Sequence, residues 1–565
     1  MKLVRVDMTD STIAVADLPL PYRDLGGRGL TSRLLADEVS PTCLPLGPDN
    51  RLIIAPGLLT GSSAPCSGRT SLGAKSPLTG TIKESNVGGM AGQYLAGHGI
   101  KALVIGGKPA NDEACRLMVI DGSGIRLERR TDLAGKGNYD TARLLREEFG
   151  ASSAVIAVGP AGEQLATLAT IAVTDTEGHP SRHAGRGGMG AVMASKGIKA
   201  IVIAKPPAGQ IRPAHGERFR DIVRQLAASL IEGKKSLTTY GTAVLVDVVN
   251  GTGGLPTRNF STGRNEEASR FNGETLRQLC TERGGATGHG CHRGCVIRCS
   301  NVFHDADGNY LTAGLEYETI ALLGSNCGIH DLDSIARLDR LCDDLGIDTM
   351  EMGVAIGVAM EGNLLPFGDL AAMQEAISGV ATGTPNGSLL GQGATVTGQT
   401  LGVERVPAVK GQSLSGYDPR ALKGTGVTYA TATMGADHTA GNCLPGRGGI
   451  NCHEPAGQVQ LSRDTQIFSM VCDILGLCVF VGPVAETMPD LASLLSAFLG
   501  REVTVPSMLE MARQAMGTEA AFNRRAGITP EQNDLPRFFR TEPLPNNGLV
   551  FDVPAEEMAG LDFSA

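Results

Sequence analysis

The sequence predicts an α+β protein: a β-rich N-terminal domain, residues 1–208, followed by two mainly α-helical domains, 209–410 and 411–565. Three observations carry this reading. Short apolar runs at 51–55, 102–105, 154–158 and 200–204 are separated by Gly, Pro and Ser turns, the punctuation of strands. From 219 onward the period changes, and apolar residues recur at helical spacing over 219–231, 315–323, 333–345, 349–361 and 371–380. Between the two regimes stands KPPAGQIRP (205–213), which reads as a linker.

Within the first domain, ALVIGGK (102–108) and AIVIAKP (200–206) each follow a glycine-rich passage, a hint of internal duplication. A Gly/Thr-rich stretch at 381–402 marks a softer boundary inside the helical half. Beyond it, helical spacing returns around 463–475 and 491–499.

Composition bounds the function. With 565 residues, 42 % apolar and 19 % charged, the chain buries a large core and is no disordered scaffold. Fifty Lys and Arg against fifty-nine Asp and Glu leave a net charge of -9 with no basic run, which argues against a nucleic-acid partner. Apolar stretches fall far short of the ~20 residues that span a bilayer, and MKLVRVDMTDSTIAV lacks the apolar block of an export signal. The expectation is a cytoplasmic protein without a membrane partner. Glycine is abundant (76), aromatics are few (8 Tyr, 14 Phe, no Trp), and 13 cysteines in a reducing compartment point to metal ligands or redox groups.

GCHRGCVIRCSN gathers Cys291, Cys295 and Cys299 within nine residues, and Gly294 permits the bend that a compact thiolate site needs. Iron–sulfur ligation suits three thiolates from a tight run and one from afar. Zinc closed by His292 or a distant Cys is the rival, and buried unligated thiols are the plain alternative. A fourth thiol stands in VCDILGLCVF, where Asp473, Gly476 and Cys478 read D-x-x-G-L-C; CDDLGIDTM repeats the offset with Asp343, Gly346 and Asp348. Two glycine-capped acidic helix ends can each aim carboxylate and carbonyl oxygens at a flat donor edge such as a pterin's amino-pyrimidinone. Taken singly, each reads first as a helix C-cap with a solvated Asp; the pair, one member ending in a Cys, is what lifts the pterin reading.

Glycine and arginine cluster at 64–92 and 181–197, where Arg69, Lys75, Arg182 and Arg186 stand beside backbone suited to phosphate. Gly185, Gly187 and Gly190 satisfy G-x-G-x-x-G, but TDTEGHPSRHA before them is no buried strand and no acid follows about 20 residues on, so a dinucleotide fold is excluded. LEYETIALLGSNCGI places Glu316, Glu318 and Cys327 on one expected helix, and MGADHTAGN carries Asp437 and His438. A Glu and a His from separate segments can relay protons, although each alone is more often structural.

Taken together these residues resemble the aldehyde:ferredoxin oxidoreductase family, tungsten enzymes with a bis-pterin cofactor and a 4Fe-4S cluster. Ten ordered motifs carry the resemblance: LGGRGL (25–30), LTGSSAPCSGR (59–69), KSPLTG (75–80), AGRGGMGAVMASK (184–196), YGTAVLV (240–246), LEYET (315–319), DDLGIDT (343–349), YDPRALKG (417–424), DILGLC (473–478) and FNRRAGITPEQNDLPRFF (522–539). The resemblance implies that Cys291, Cys295, Cys299 and Cys478 hold the cluster. It implies pterin contacts from Asp343, Asp348, Asp473, Gly476 and Leu477, and phosphate contacts from Arg69 and Arg182, with Arg186 of the same glycine–arginine cluster also expected to bind cofactor. It gives Asn86 to a magnesium that bridges the pterin phosphates, and places Glu318 and His438 beside the tungsten or molybdenum. The first domain becomes the cofactor's base, with the helical domains closing over it.

The activity so implied is oxidation of a small aldehyde to a carboxylic acid, with electrons passed through the cluster to ferredoxin or an iron–sulfur electron-transfer subunit. The sequence departs from the family in three places. The first cysteine gap is three residues instead of two. Arg337 and Arg340 stand where the archetype has a Glu and a His sharing an iron across a dimer, so any homodimer lacks interface iron, with Asp331, Asp333 and Asp339 near enough to neutralise the arginines. Cys327 matches the extra metal thiolate of the related tungsten benzoyl-CoA reductases or is a buried small hydrophobe. The alternatives carried forward are an active-site subunit of a benzoyl-CoA-reductase-like complex and a zinc-stabilised, non-redox binding protein.

Overall fold

A computed structural model describes residues 1–109, 115–207, 211–482, 484–561 and 563. Residues 208–210 of the expected linker lie outside this set.

The N-terminal region holds two six-stranded sheets. The first contains β1 (Lys2–Asp7), β2 (Thr12–Asp17), β3 (Leu52–Pro56), β4 (Thr70–Lys75), β5 (Ile82–Val87) and β6 (Ile100–Gly106). The second contains β7 (Arg116–Asp121), β8 (Gly124–Arg129), β9 (Ala154–Ala157), β10 (Ile171–Val173), β11 (Arg182–Ala184) and β12 (Ile198–Ile203). Their orders, β2-β1-β6-β3-β4-β5 and β8-β7-β12-β9-β10-β11, are the same topology. In each, the first strand pairs antiparallel with the second and parallel with the last. Ile53 sits opposite Gly73 and Val104 in one sheet, as Ile156 sits opposite Val173 and Ile201 in the other. The strands β6 and β12 are entered by GIKALVI (99–105) and GIKAIVI (197–203), so the hint of duplication is a structural fact.

Strand alternation builds the layers. Leu52, Ile54, Leu103 and Ile105 face Met118, Ile156, Ile171 and Ile201 across the inter-sheet core. The intervening Ile53, Ala55 and Val104 point away, onto Leu30, Leu34 and Leu35 of α1 (Gly27–Glu38). Full burial of each such aliphatic side chain contributes about 1.5–3 kcal/mol.

The rest is mainly helical. Expected helices form as α2 (Gly216–Gly233), α3 (Leu332–Leu345), α4 (Thr349–Glu361), Leu370–Thr382, α5 (Gln458–Leu475) and Met488–Leu499. Three differences matter. The expected helix at 315–323 is one α-turn, Tyr317–Thr319, running into a π-helical turn, Ile320–Gly324, and a 3-10 turn, Ser325–Cys327. There α4 approaches so closely that a Cβ on Gly353 would lie 2.7 Å from the Leu322 carbonyl oxygen. The stretch at 381–402 is no open boundary: it folds as Pro385–Leu390 and Ala394–Leu401, its glycines allowing backbone contact between Gly387 and Gly379. Finally, α6 (Val505–Arg525), started by a Thr504–Ser507 capping box, was not anticipated. Among the described residues no helix is long and apolar enough to cross a membrane.

Candidate active site

Each half of the N-terminal region grips one helix end. The helix α3 stops at Gly346, whose φ of 74° lets its N–H bond back to the Cys342 carbonyl. The loop after β9 and the helix Asn138–Phe149 ahead of it hold that end: Thr170 N–H donates to Gly346 O, Asp348 N–H to Leu168 O, and Asn138 Nδ2 to Asp343 O at 2.7 Å. At Gly159 a Cβ would lie 2.2 Å from Leu345 O. In the same way α5 stops at Gly476 (φ 77°). The loop after β3 holds it, Leu58, Leu59 and Arg69 N–H groups donating to the carbonyls of Ile474, Leu475 and Gly476, with Gly57 against Gly476. Because β3 and β9 occupy equivalent places, the two D-x-x-G ends are docked equivalently.

The carboxylates at these ends differ. Asp343 lies 3.1 Å from His183 Nε2. Asp348 caps α4 by accepting from Met350 N–H, and burial pushes it up despite Arg186 at 3.3 Å. Burial, reinforced by Glu84, pushes Asp473 well above the carboxylate range despite Arg28 at 3.4 Å. Leu477 is buried beside Cys478.

Beside the first end, and reached from the second by Cys478, lies a cavity of about 350 Å³; Asp473, Gly476 and Leu477 are not among its lining residues. Cys291, Cys295, Cys299 and Cys478 all line it, as do Arg69, Asn86, Arg182, Asp343, Asp348, Glu318 and His438. Arg69 Nη2 is 3.8 Å from Cys478 Sγ, Cys478 N–H donates to Cys66 O, and Cys66 N–H donates to Gly294 O, which ties the distant thiol to the triplet. A hydrogen bond with Cys295 and burial push the Cys291 thiol up, and burial with Glu316 and Cys478 nearby pushes Cys299 up further. Thiols so placed resist ionising together unless a cation joins them. Several cavity donors have no partner: Arg69 Nε, Arg182 Nε and Nη2, and Asn86 Nδ2 are buried without a hydrogen bond.

Opposite the thiols, Glu318 and His438 meet. His438 Nε2 is 3.1 Å from Glu318 Oε1, the Tyr417 hydroxyl donates to that oxygen at 2.8 Å, and His438 Nδ1 is 2.8 Å from Ser415 Oγ. Burial alone would raise Glu318, but His438 and the Tyr417 hydroxyl outweigh it and hold the carboxyl below its usual range. Glu316, two residues earlier, is raised by burial in spite of Arg182 at 3.8 Å and the Thr242 hydroxyl at 2.6 Å. The site thus holds an ionised carboxylate with a fixed imidazole beside an acid that resists ionisation, the divergence that separates base from acid roles.

Several expected groups are engaged away from the cavity. Arg186 does not face the cavity: its guanidinium is spent on Asp348, Glu351, Ser413 and the Ala436 carbonyl, so it braces the first helix end. Cys327 does not line the cavity: its thiol is fully buried in the helical core, 3.2 Å from each of the Leu322 and Gly353 carbonyl oxygens. Arg340 is held inside the chain, 3.3 Å above the Tyr139 ring with a hydrogen bond to Leu311 O. The acids expected to neutralise it are occupied: Asp331 caps α3, Asp333 pairs with Arg283, and Asp339 accepts from Thr312. Sequence reasoning missed Tyr417 and Ser415 as partners of the acid–base pair; Tyr417 opens YDPRALKG, and only the fold shows what its hydroxyl meets.

Residues 3–205 match the family described as "Aldehyde ferredoxin oxidoreductase, N-terminal domain", and 219–560 match "Aldehyde ferredoxin oxidoreductase, domains 2 & 3". The chain is 34 % identical to the tungsten-containing aldehyde ferredoxin oxidoreductase of Pyrococcus furiosus, over 96 % of this chain and 92 % of that protein. It is 33 % identical to the Thermococcus kodakarensis enzyme of the same name, over 97 % and 93 %. Its fold matches the active site complex BamBC of benzoyl coenzyme A reductase with 1,5-dienoyl-CoA at a TM-score of 0.81 and 19 % identity, covering 95 % of this chain and 90 % of that one.

Proposed function

The chain belongs to the aldehyde ferredoxin oxidoreductase family and is an oxidoreductase, and on that premise we propose that it oxidises a small aldehyde to its carboxylic acid at a tungsten or molybdenum bis-pterin centre. The observation that carries the proposal is the pair of equivalently docked D-x-x-G helix ends, the first lining one cavity with Asp343 and Asp348 and the second reaching it with Cys478, together with the Glu318–His438 pair inside it. Two like clamps suit two like ligands.

The residues fit the group. Asp343 and Asp348 on one side, and Asp473 with the Gly476 and Leu477 backbone on the other, would take the pterin donor edges. The unpartnered donors of Arg69 and Arg182 would take the phosphates. Asn86 would offer its carbonyl to a bridging magnesium, which takes oxygen ligands. Cys291, Cys295, Cys299 and Cys478 would hold one 4Fe-4S cluster. When bound, the metal and its dithiolenes supply the two-electron redox change. The chain supplies the rest: Glu318 accepts the proton that leaves water as it adds to the carbonyl, and the Tyr417 hydroxyl and His438 keep it anionic and aimed. His438, oriented by Ser415 at Nδ1, holds Glu318 in place through Nε2. The acceptor is a ferredoxin or an iron–sulfur electron-transfer subunit.

Of the alternatives, the thioester-reducing reading draws no support from Cys327, whose thiol is hydrogen-bonded to the Leu322 and Gly353 carbonyls. A zinc site needs its ligands around one point, and among the described residues no three His, Cys, Asp or Glu are so gathered. The test is aldehyde-dependent reduction of a viologen dye by anaerobically purified protein. Turnover with a panel of aldehydes supports the proposal; dye reduction with none of them, by protein that contains pterin and tungsten or molybdenum, overturns it.

A further inference from the structure

The duplicated base presents two matching cations. Counted back from the Gly-Gly-Met at 88–90 and at 187–189, Lys83 on β5 and Arg182 on β11 hold the same place in their repeats, and β5 and β11 are the corresponding edge strands. Each cation meets an acid next to one member of the acid–base pair. Arg182 Nη1 lies 3.8 Å from Glu316 Oε1 and donates at 2.8 Å to Ser300 Oγ, which donates to the same oxygen at 3.1 Å. Glu316 stands two residues before Glu318. Lys83 Nζ donates to Asp437 Oδ2 at 2.5 Å, and Asp437 stands directly before His438.

The turn that carries His438 is tied to the base through this second contact, whose side chains are 0 % and 4 % exposed. Asp437 Oδ1 caps the 3-10 turn His438–Ala440, accepting from the Thr439 N–H at 3.0 Å and the Thr439 hydroxyl at 2.7 Å. Its other oxygen is the one that Lys83 holds. Just before it, the Ala436 carbonyl accepts from Arg186 Nη1 at 2.9 Å and Gln412 Nε2 at 2.7 Å. The lysine stem crosses the glycine loop of the other repeat, where a Cβ on Gly187 would lie 2.6 Å from Lys83 Cγ. Burial would raise the Asp437 carboxyl, but Lys83, Arg186 and His438 outweigh it and hold it well below the carboxylate range, Glu84 and Asp473 being the acids that face it. Neither Lys83 nor Asp437 lines the cavity.

We propose that Lys83 is a positioning residue for the acid–base pair: through Asp437 it fixes the turn that starts with His438, as Arg182, through Ser300 and Glu316, fixes the segment that carries Glu318. Each repeat of the base thus sets one partner of the 3.1 Å Glu318–His438 contact. The inference rests on the proposed function for its kinetic readout; the tether itself is measured without turnover.

The test compares the parent with Lys83→Met, with Lys83→Met/Asp437→Asn, and with that double change in a His438→Asn background. Metal and pterin content, thermal stability, aldehyde oxidation with a viologen dye and backbone hydrogen exchange over 432–441 are measured on each. Lys83→Met strands a buried carboxylate and should lose stability as well as turnover. The double variant removes both charges and keeps an amide oxygen to cap Thr439, so it should recover the parent's melting temperature and retain pterin and metal. Its kcat should nevertheless stay about ten- to a hundredfold down with KM little changed, and 432–441 should exchange faster than in the parent. In the His438→Asn background the double change should alter the residual turnover by less than about twofold, because its effect passes through the missing imidazole. A double variant whose kcat returns with its stability, that loses pterin or metal, or whose 432–441 amides exchange as in the parent overturns the proposal. So does the full loss of turnover repeated in the His438→Asn background. A parent that holds pterin and metal but oxidises none of a panel of aldehydes counts against the proposed function instead, and hydrogen exchange then judges the tether alone.

Discussion

His438 Nε2 stands 3.1 Å from Glu318 Oε1, although the two residues come from separate segments, a distorted helical turn and the start of a 3-10 turn. The contact is framed by Tyr417 and Ser415, so neither side chain is free to swing. This makes the pair an acid–base device distinct from the groups that would hold cofactor.

Glu318→Gln and His438→Asn should therefore keep metal and pterin while lowering aldehyde oxidation by roughly two to four orders of magnitude, the usual weight of general acid–base catalysis. Metal content and turnover measured on the same sample check this; near-normal turnover in both variants would contradict it.

Tyr417→Phe removes a donor to the charged form of Glu318. The carboxyl pKa should rise, so the acidic limb of the kcat/KM profile should move to higher pH with little change in the pH-independent rate. A pH–rate profile with a viologen acceptor reads the shift directly.

Cys478→Ala should lower the iron content or convert the cluster, because three thiolates leave one iron of a cubane without its protein ligand. Iron analysis and the visible spectrum report it, and unchanged values would remove Cys478 from the ligand set.

The floor of the site rests on a buried ion pair, Arg28 with Glu519 at 2.7 Å, the side chains 3 % and 1 % exposed. Glu519→Gln leaves Arg28 uncompensated and should cost about 3–5 kcal/mol at neutral pH. Arg28 and the Thr433 and Ser32 hydroxyls outweigh burial and hold the Glu519 carboxyl low. Its contribution is thus full above the ordinary carboxylate range, and the gap between parent and variant should narrow as pH falls through the folded-state value. Chemical denaturation at a series of pH values measures it.

Much of the site was legible in the sequence because its signals are local. The cysteine spacing, the two D-x-x-G ends and the glycine–arginine loops stand in short windows, and all but Arg186 and Cys327 among the expected residues meet at the cavity or at the helix ends beside it. Those two lie elsewhere because side-chain direction is set by packing that spacing does not encode: Arg186 turns inward to carboxylates and Cys327 into the helical core. The duplication was only a hint because it survives in topology and in Gly-Ile-Lys-Ala, while most other positions have diverged. The helix at 315–323 was misread because helical spacing does not reveal the close approach of Gly353 that accompanies its π turn.

The central claim is that this cavity holds a metallopterin next to an iron–sulfur cluster, and quantifying tungsten, molybdenum, iron, zinc and pterin in one anaerobically purified sample tests it most directly. The account predicts pterin, tungsten or molybdenum, and about four irons per chain, in a brown protein. A colourless protein that contains zinc and no pterin would contradict it.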